Sequence, residues 1–295
     1  MGGAPFRSRM YDTLTLSAFG LEISTQQIVF WTVVGLAVVF GPVWMARREG
    51  LDVSRLRATQ GVLAVAGIAG ARLHFLFNNP HFYDAQPLRA VMPWGGGMHM
   101  AGALIGLTIG APLAARWCRV PLAKLADGLI VVTALAYAGT RVACFLGGCC
   151  FGTHWDGPWA VRYPAGSLPF KIHQEAGLLG PDAVMSLATH PAQLYFVVAA
   201  VLSAGIALAA GRRKHYDGQV FWAGLAALCA TTLLVEPFRA PENHRVVWAG
   251  IPQLVWTEAA VALFAVVGLA VGGWRHRVAS RGVAAGPIVT EAAER

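Results

Sequence analysis

The sequence predicts an all-α, polytopic membrane protein, and three observations support this fold class. Hydrophobic residues make up 56% of the 295-residue chain and charged residues only 13%, whereas a soluble domain carries about 25% charged residues. Apolar runs of about 20 residues, the length of a membrane-spanning helix, recur along the chain. The basic residues lie mostly between these runs rather than in one patch, so the net charge of +8 does not indicate nucleic-acid binding.

Seven spans are predicted, and each must be helical because lipid offers no hydrogen-bonding partner to an open backbone. The fourth span carries Arg141 near its end, and the sixth ends in Glu236-Pro237-Phe238-Arg239. The predicted bounds are near 24–46, 59–78, 98–116, 124–146, 191–211, 218–238 and 251–274.

The orientation follows from the distribution of lysine and arginine residues. Of the 23 such residues, 14 fall on one side of the predicted spans and 7 on the other, with Arg72 and Arg141 inside the membrane. The richer side is expected to be cytoplasmic. This places the N-terminus outside and the C-terminus in the cytoplasm, and no cleavable signal peptide is evident.

The domain prediction is one membrane domain, residues 1–277, followed by a disordered cytoplasmic tail, residues 278–295. The connection at about 147–190 is the longest, and it holds aromatic and histidine residues beside Gly-Pro turn signals at 157–158 and 180–181. We therefore expect a small folded cap on the outer side of the membrane there, with one short strand at 159–163.

Ionisable residues inside a membrane span are informative, because a charge at the bilayer centre costs about 2.5–3.5 kcal/mol. The positions concerned are Arg72, Arg141, Glu236 and Arg239. In a structural interpretation, Glu236 pairs with an arginine and locks helices together, while Arg72 extends to the interface. In a functional interpretation, two arginines against one glutamate leave a positive charge for a lipid phosphate, whose oxygens fit the guanidinium fork.

The segment after Arg141 combines glycines with two adjacent cysteines. Its glycines end the helix and let a ligand approach the backbone closely, and Gly152 is the last of them. Three interpretations of Cys149-Cys150 stay open, namely buried packing, a reactive thiol pair and a soft-metal site. An odd count of five cysteines argues against a disulfide-stapled domain.

Two histidines lie near predicted helix starts. His99 is close to the outer interface, where a titratable base is useful, and a satisfied interfacial histidine is the alternative. His190 precedes Pro191 and is therefore biased away from helical geometry. We expect it to cap or orient a neighbour, with a base role as the alternative.

Taken in order, these segments resemble the prolipoprotein diacylglyceryl transferases through about residues 20–270. Two of the motifs are specific in combination, His190-Pro-Ala-Gln-Leu-Tyr195 and Val235-Glu-Pro-Phe-Arg-Ala-Pro241. Members of that family have seven membrane helices with the N-terminus outside. The other matching segments are Gly96-Gly97-Met98 with Gly102-Ala-Leu-Ile-Gly106, and Arg141 before Phe145 and Gly148.

The resemblance implies an enzyme that moves a diacylglyceryl group from phosphatidylglycerol to a cysteine thiol of a lipoprotein precursor. It implies that Arg141 holds the lipid phosphate, that Arg239 stabilises the leaving group, and that a base generates the thiolate. The expected partners are phosphatidylglycerol, a prolipoprotein or other thiol acceptor and membrane lipid, and no cofactor or metal ion is assigned. The expected site comprises the catalytic residues Arg239, His99, Glu236 and Cys149 and the substrate-binding residues Arg141, Gly152, His190, Gln193 and Tyr195.

The chain departs from the family's usual pattern within this polar site. Ala101-Gly102-Ala103 stands where the family typically has His-Gly-Gly, and His99 lies two residues earlier, about 200° away on a regular helix. Cys144 and Cys149 stand where asparagine and glutamate are typical, and no tyrosine lies within 24–46. The alternatives are a divergent enzyme with another acceptor that uses Cys149 or Cys150, and a non-catalytic membrane protein that handles lipid, thiols or metal.

Overall fold

A computed structural model of the chain describes residues 16–18, 21–23, 25–79, 100–241 and 247–284. Within these ranges the chain forms eight α-helices and two short antiparallel strand pairs. The helices are α1 Thr25–Glu49, α2 Val53–Asn78, α3 Met100–Trp117, α4 Leu122–Gly147, α5 Leu168–Glu175, α6 Ala192–Arg212, α7 Gln219–Val235 and α8 Gln253–Ala284. The strand pairs are β1 Leu16–Ala18 with β2 Leu21–Ile23, and β3 Val247–Trp248 with β4 Ile251–Pro252.

The long helices identify the chain as a polytopic helical membrane protein. Among the described residues, six segments are long and apolar enough to cross a membrane. The predicted third span, 98–116, overlaps α3, which is not one of the six, so the count of seven spans stays a prediction. The six segments are Thr25–Glu49, Val53–Asn78, Leu122–Gly147, Ala192–Arg212, Gln219–Phe238 and Val255–Arg281.

Large apolar side chains point outward from these helices. Phe40 on α1, Leu73 on α2, Leu234 on α7 and Leu263 on α8 are all more than half exposed. A soluble protein rarely leaves apolar patches of this kind open to water. These faces are therefore the ones that lipid covers.

The structure divides into two compact units, one formed by Met1–Ala37 with Ile130–Arg295 and the other by Val38–Leu129. In the second unit, α2 and α3 meet through glycines. A methyl group on Gly70 would collide with the backbone of Gly102 and Gly106, and one on Gly106 would collide with the backbone of Ala66. Small residues of this kind let two membrane helices approach closely. Gly102 and Gly106, which belong to a motif of the resemblance, therefore serve helix packing.

Arg72 also lies in the second unit, on α2. Its side chain is buried, and its extension to the membrane interface stays a prediction.

The connection between α4 and α6, residues 148–191, is folded and lies in the first unit. Phe151 and Tyr163 are fully buried and pack against Ala240. No continuous strand forms at 159–163, where Val161 makes only an isolated bridge to Thr189, because Pro158 and Pro164 flank the stretch and have no N–H to donate. The segment instead contains the short helix α5, which the sequence analysis did not predict.

The last helix is longer than the sequence analysis predicted. α8 continues to Ala284, past the expected end near 274 and past residue 278, where the tail was expected to begin. The Tyr216 hydroxyl donates a hydrogen bond to the Leu269 carbonyl at 3.0 Å, and its ring fills the space beside Gly272. This packing supports the helix through its Gly272-Gly273 pair, which on sequence alone is a natural place for a helix to end.

Candidate functional site

Arg141 lies near the C-terminal end of α4 and is held between two aromatic rings. Its Nη2 donates to the Tyr137 hydroxyl at 2.7 Å. Its guanidinium carbon lies 4.6 Å from the ring centroids of both Tyr137 and Phe196, which is the range of a cation–π interaction. Tyr137 precedes Arg141 by one helical turn, so both side chains lie on the same face of α4. Within the described residues no carboxylate forms an ion pair with Arg141.

Arg239 follows α7, which ends in a short 3-10 turn over Glu236–Phe238. Arg239 Nη1 lies 3.2 Å from Glu236 Oε1, and the two side chains are only 12% and 5% exposed. Arg239 Nη2 lies 4.0 Å from the Cys150 sulfur. Its Nε is buried without a hydrogen-bond partner among the described residues. Glu236 thus pairs with Arg239 rather than with Arg141.

Backbone hydrogen bonds join the cysteine turn to the Arg239 segment. Thr153 N donates to the Phe238 carbonyl at 2.9 Å, and Ala240 N donates to the Phe151 carbonyl at 3.1 Å. Gly152 forms an antiparallel bridge with Arg239, and its N–H donates to the His190 carbonyl at 3.1 Å. A methyl group on Gly152 would collide with the His190 and Phe238 carbonyl oxygens, so here the glycine admits the protein's own backbone.

Three thiols converge beside the two arginines. The sulfur atoms of Cys144, Cys149 and Cys150 all lie within 4.8 Å of one another, and each residue is partly exposed. Cys150 has a φ of 55°, the left-handed conformation that turns the chain back toward α4.

The thiols have unequal acidity because they hydrogen-bond to one another. Hydrogen bonds from Cys144 and Cys149, together with the guanidinium groups of Arg141 and Arg239, hold the pKa of Cys150 well below its usual range. Hydrogen bonding to Cys144 and then to Cys150, together with burial, raises the pKa of Cys149. The hydrogen bonds between the thiols are the largest of these effects, and both arginines add to the lowering of the Cys150 pKa.

Gln193 supports the cysteine turn from α6. It is fully buried, and its Nε2 donates to the Cys149 carbonyl at 2.7 Å and to the Tyr163 hydroxyl at 3.1 Å. This arrangement makes Gln193 a positioning residue for the turn.

His190 and Tyr195 belong to an aromatic cluster next to the same turn. Trp159 Nε1 donates to the Tyr195 hydroxyl oxygen at 2.8 Å, so the Tyr195 proton is free to donate to His190 Nδ1, 3.0 Å away. The His190 ring stacks on Trp155 with centroids 4.4 Å apart and planes at 7°. Burial lowers the pKa of His190. A neutral imidazole with Nδ1 as acceptor fits this hydrogen-bond chain.

The comparisons with known proteins agree on one family. A family model described as prolipoprotein diacylglyceryl transferase matches residues 15–273. The chain belongs to the prolipoprotein diacylglyceryl transferase family. The sequence-based recognition is thereby confirmed, and the chain is a multi-pass membrane protein of a bacterial inner-membrane family that serves lipoprotein biosynthesis.

Individual relatives agree with the family model. The chain is 30% identical over 201 residues to a phosphatidylglycerol–prolipoprotein diacylglyceryl transferase of Geobacter sulfurreducens, covering 67% of this chain and 70% of that protein. It is 29% identical over 278 residues to the protein of the same name from Symbiobacterium thermophilum, covering 93% and 97%. For the Ruegeria pomeroyi protein of that name the identity is 28% over 248 residues, covering 78% and 80%.

In this family member the structure brings most of the predicted site residues together, and His99 lies outside the described residues. It also adds residues that the sequence analysis missed. Glu258 on α8 is within electrostatic range of Glu236, Arg141 and Arg239, and its Oε2 is buried without a hydrogen-bond partner among the described residues. The sequence alone could have indicated this residue, because Glu258 is the acidic residue within the predicted membrane span 251–274. The roles of all these residues stay predictions.

Proposed function

We propose that this family member is a phosphatidylglycerol-dependent diacylglyceryl transferase whose acceptor is the cysteine thiol of a lipoprotein precursor. One observation carries the proposal. Arg141 has no carboxylate partner within the described residues, while Glu236 binds Arg239 at 3.2 Å. A phosphodiester bears one negative charge, which can pair with the guanidinium group of Arg141.

In this proposal Arg141 binds the donor lipid, and Arg239 assists the reaction. Arg141, fixed by Tyr137 and Phe196, binds the phosphodiester of the donor lipid. The acceptor thiolate attacks the carbon of the diacylglyceryl group that is bonded to the phosphate oxygen, and that carbon–oxygen bond breaks. Glycerol phosphate leaves with a second negative charge, which Arg239 stabilises as it develops. Such preorganised electrostatic stabilisation contributes about 2.7–4 kcal/mol for a single donor in other enzymes.

A covalent intermediate on the protein's own thiols is a second candidate. The 4.0 Å approach of Arg239 Nη2 to the Cys150 sulfur favours it, because the same arginine would stabilise both thiolate and leaving group. The adduct would be a thioether, whose sulfur is a poor leaving group, so direct transfer is the better candidate. Intact-mass measurement of the purified protein with phosphatidylglycerol separates the two, since a covalent route requires a diacylglyceryl adduct that is consumed when the acceptor peptide is added.

Arg141→Ala tests the proposed site. We expect transfer from phosphatidylglycerol to a cysteine-containing lipoprotein peptide to fall at least about 100-fold, with Arg141→Lys losing less, because a point charge remains without the planar fork. Purified protein in detergent provides the rate, and thermal unfolding shows that the variant is folded.

Arg162→Ala is the matched control, because Arg162 is an exposed arginine of the 148–191 segment that pairs with Asp156. It should keep wild-type turnover. Full turnover by a folded Arg141→Ala variant would refute the assignment. A wild-type protein that neither transfers lipid in vitro nor rescues cells depleted of their own transferase would refute the activity.

A further inference from the structure

The cluster of Cys144, Cys149 and Cys150 has the dimensions of a metal site. The sequence shows an adjacent pair, and the fold adds the third thiol from the last turn of α4, with all three sulfur atoms within 4.8 Å of one another. In a tetrahedral thiolate site with Zn–S bonds of about 2.3 Å, the sulfur atoms lie about 3.8 Å apart. Side-chain rotations that shorten the sulfur–sulfur distances by about 1 Å therefore bring all three sulfurs within bonding distance of one metal ion.

We propose that Cys144, Cys149 and Cys150 bind one thiophilic divalent metal ion of the Zn²⁺ class, and that its open fourth position receives the acceptor thiol. The second half of this proposal rests on the transferase activity proposed above, whereas the first half does not.

The surrounding charges favour a metal–thiolate complex. Three thiolates and one divalent ion carry a net charge of −1, and the guanidinium groups of Arg141 and Arg239 both act electrostatically on the Cys150 sulfur. Arg239 Nη2 already lies 4.0 Å from the Cys150 sulfur, the place of an outer hydrogen bond that tunes a ligand sulfur. Thiolate ligands select soft or borderline ions over Mg²⁺ or Ca²⁺.

The turn that carries the thiols is held from several sides. Gln193 Nε2 donates a hydrogen bond to the Cys149 carbonyl at 2.7 Å. Thr153 N donates to the Phe238 carbonyl, and Ala240 N donates to the Phe151 carbonyl. A site built on such fixed backbone holds its ligands close to the binding geometry. The cluster is also partly exposed, unlike the buried Cys229, so an ion and an acceptor can reach it.

A three-thiolate site with an open position would generate the acceptor thiolate, the step that the resemblance assigns to a base. Coordination to the metal removes the proton of the acceptor thiol, and that proton passes to solvent. The bound sulfur then forms its bond to the glyceryl carbon as the carbon–oxygen bond to phosphate breaks, and glycerol phosphate departs. The product is a neutral thioether, a weaker ligand than a thiolate, so it leaves the metal.

Metal binding is tested without reference to activity. Full-length protein in detergent, reduced and stripped with chelator, is titrated with Cd²⁺ while the ultraviolet thiolate-to-cadmium absorption is recorded. We expect one equivalent to bind. The single variants Cys144→Ser, Cys149→Ser and Cys150→Ser should each weaken binding by more than the 10–100-fold that losing an outer-shell partner costs. Cys229→Ser is the matched control and should bind like the wild type.

Absence of the absorption band in the reduced wild type, or its persistence in the triple variant, would overturn the site. For the activating role, stripped protein should lose transfer to a cysteine-containing peptide, and Zn²⁺ should restore it. Full turnover by stripped protein overturns that role. Stoichiometric metal binding with no transfer under any condition would instead support the site and overturn the proposed activity.

Discussion

Gly152 shows why a glycine is required within the candidate site. Its N–H bonds to His190, and its α-carbon faces the carbonyl oxygens of His190 and Phe238, where a methyl group does not fit. Gly152→Ala should therefore separate the cysteine turn from the Arg239 segment. We expect a loss of about 1–3 kcal/mol of stability, as for other overpacked positions, and a marked fall in transfer, measured by thermal unfolding and turnover.

Gly180→Ala is the control for Gly152→Ala, because it lies in the same 148–191 segment with nothing within 4 Å of the added carbon. It should leave both measurements unchanged. Equal effects of the two substitutions would contradict the packing argument.

Tyr195 connects Trp159 to His190 through its hydroxyl group. Tyr195→Phe removes both hydrogen bonds and should cost about 1–3 kcal/mol, seen as a lower unfolding temperature. Trp159→Phe removes the bond from Trp159 and part of its ring contact with Trp155, but leaves the bond to His190, and should cost less. If Trp159→Phe proves the more damaging substitution, the hydrogen-bond chain is not what orients His190.

The sequence was informative about individual charges and less so about their partners. Arg141, Glu236 and Arg239 were recognisable because a bilayer tolerates few ionisable groups. The pairing of Glu236 with Arg239 and the position of Cys144 beside Cys149 and Cys150 depend on how the chain folds back. Gln193 was predicted to bind substrate, which stays a prediction, and its hydrogen bond to the Cys149 carbonyl is a contact that no sequence pattern indicates.

At the scale of elements, glycines set the approach of α2 and α3. Gly106→Ala should separate these helices, because the added carbon would collide with the Ala66 backbone, and we expect a lower unfolding temperature in detergent. Gly61→Ala on α2 meets nothing within 4 Å and should be neutral or slightly stabilising, since alanine has the higher helix propensity. An unchanged unfolding temperature for Gly106→Ala would show that the contact is not close.

Helices were predictable in proportion to their apolar length. The long runs corresponding to α1, α2, α4, α6, α7 and α8 were found in sequence, although α8 extends past its expected end. α5 was missed because it has only eight residues, although Ser167 as its N-cap and Pro169 in its first turn are typical of a helix start. The expected strand at 159–163 was wrong, because prolines at both sides restrict it to isolated bridges.

For the whole molecule, the predicted orientation is open to a direct test. Alkaline phosphatase, which folds actively only outside the cytoplasm, should be active when fused after Gly180 and inactive when fused after Arg281. Green fluorescent protein at the same positions should give the opposite pattern. Phosphatase activity at the C-terminal position would reverse the orientation inferred from the basic residues and place the 148–191 segment in the cytoplasm.

The hydrogen bonds between residues 151–153 and 238–240 have a kinetic consequence. They tie the Arg239 segment to the cysteine turn, and under the proposed function they would hold these two parts of the site in place while a lipid arrives. Under the proposed function the charged groups would be arranged before the ligand binds, and little free energy would be lost in ordering them. Any slow step in turnover would then belong to the passage of bulky lipids in and out, rather than to assembly of the charges that act on them.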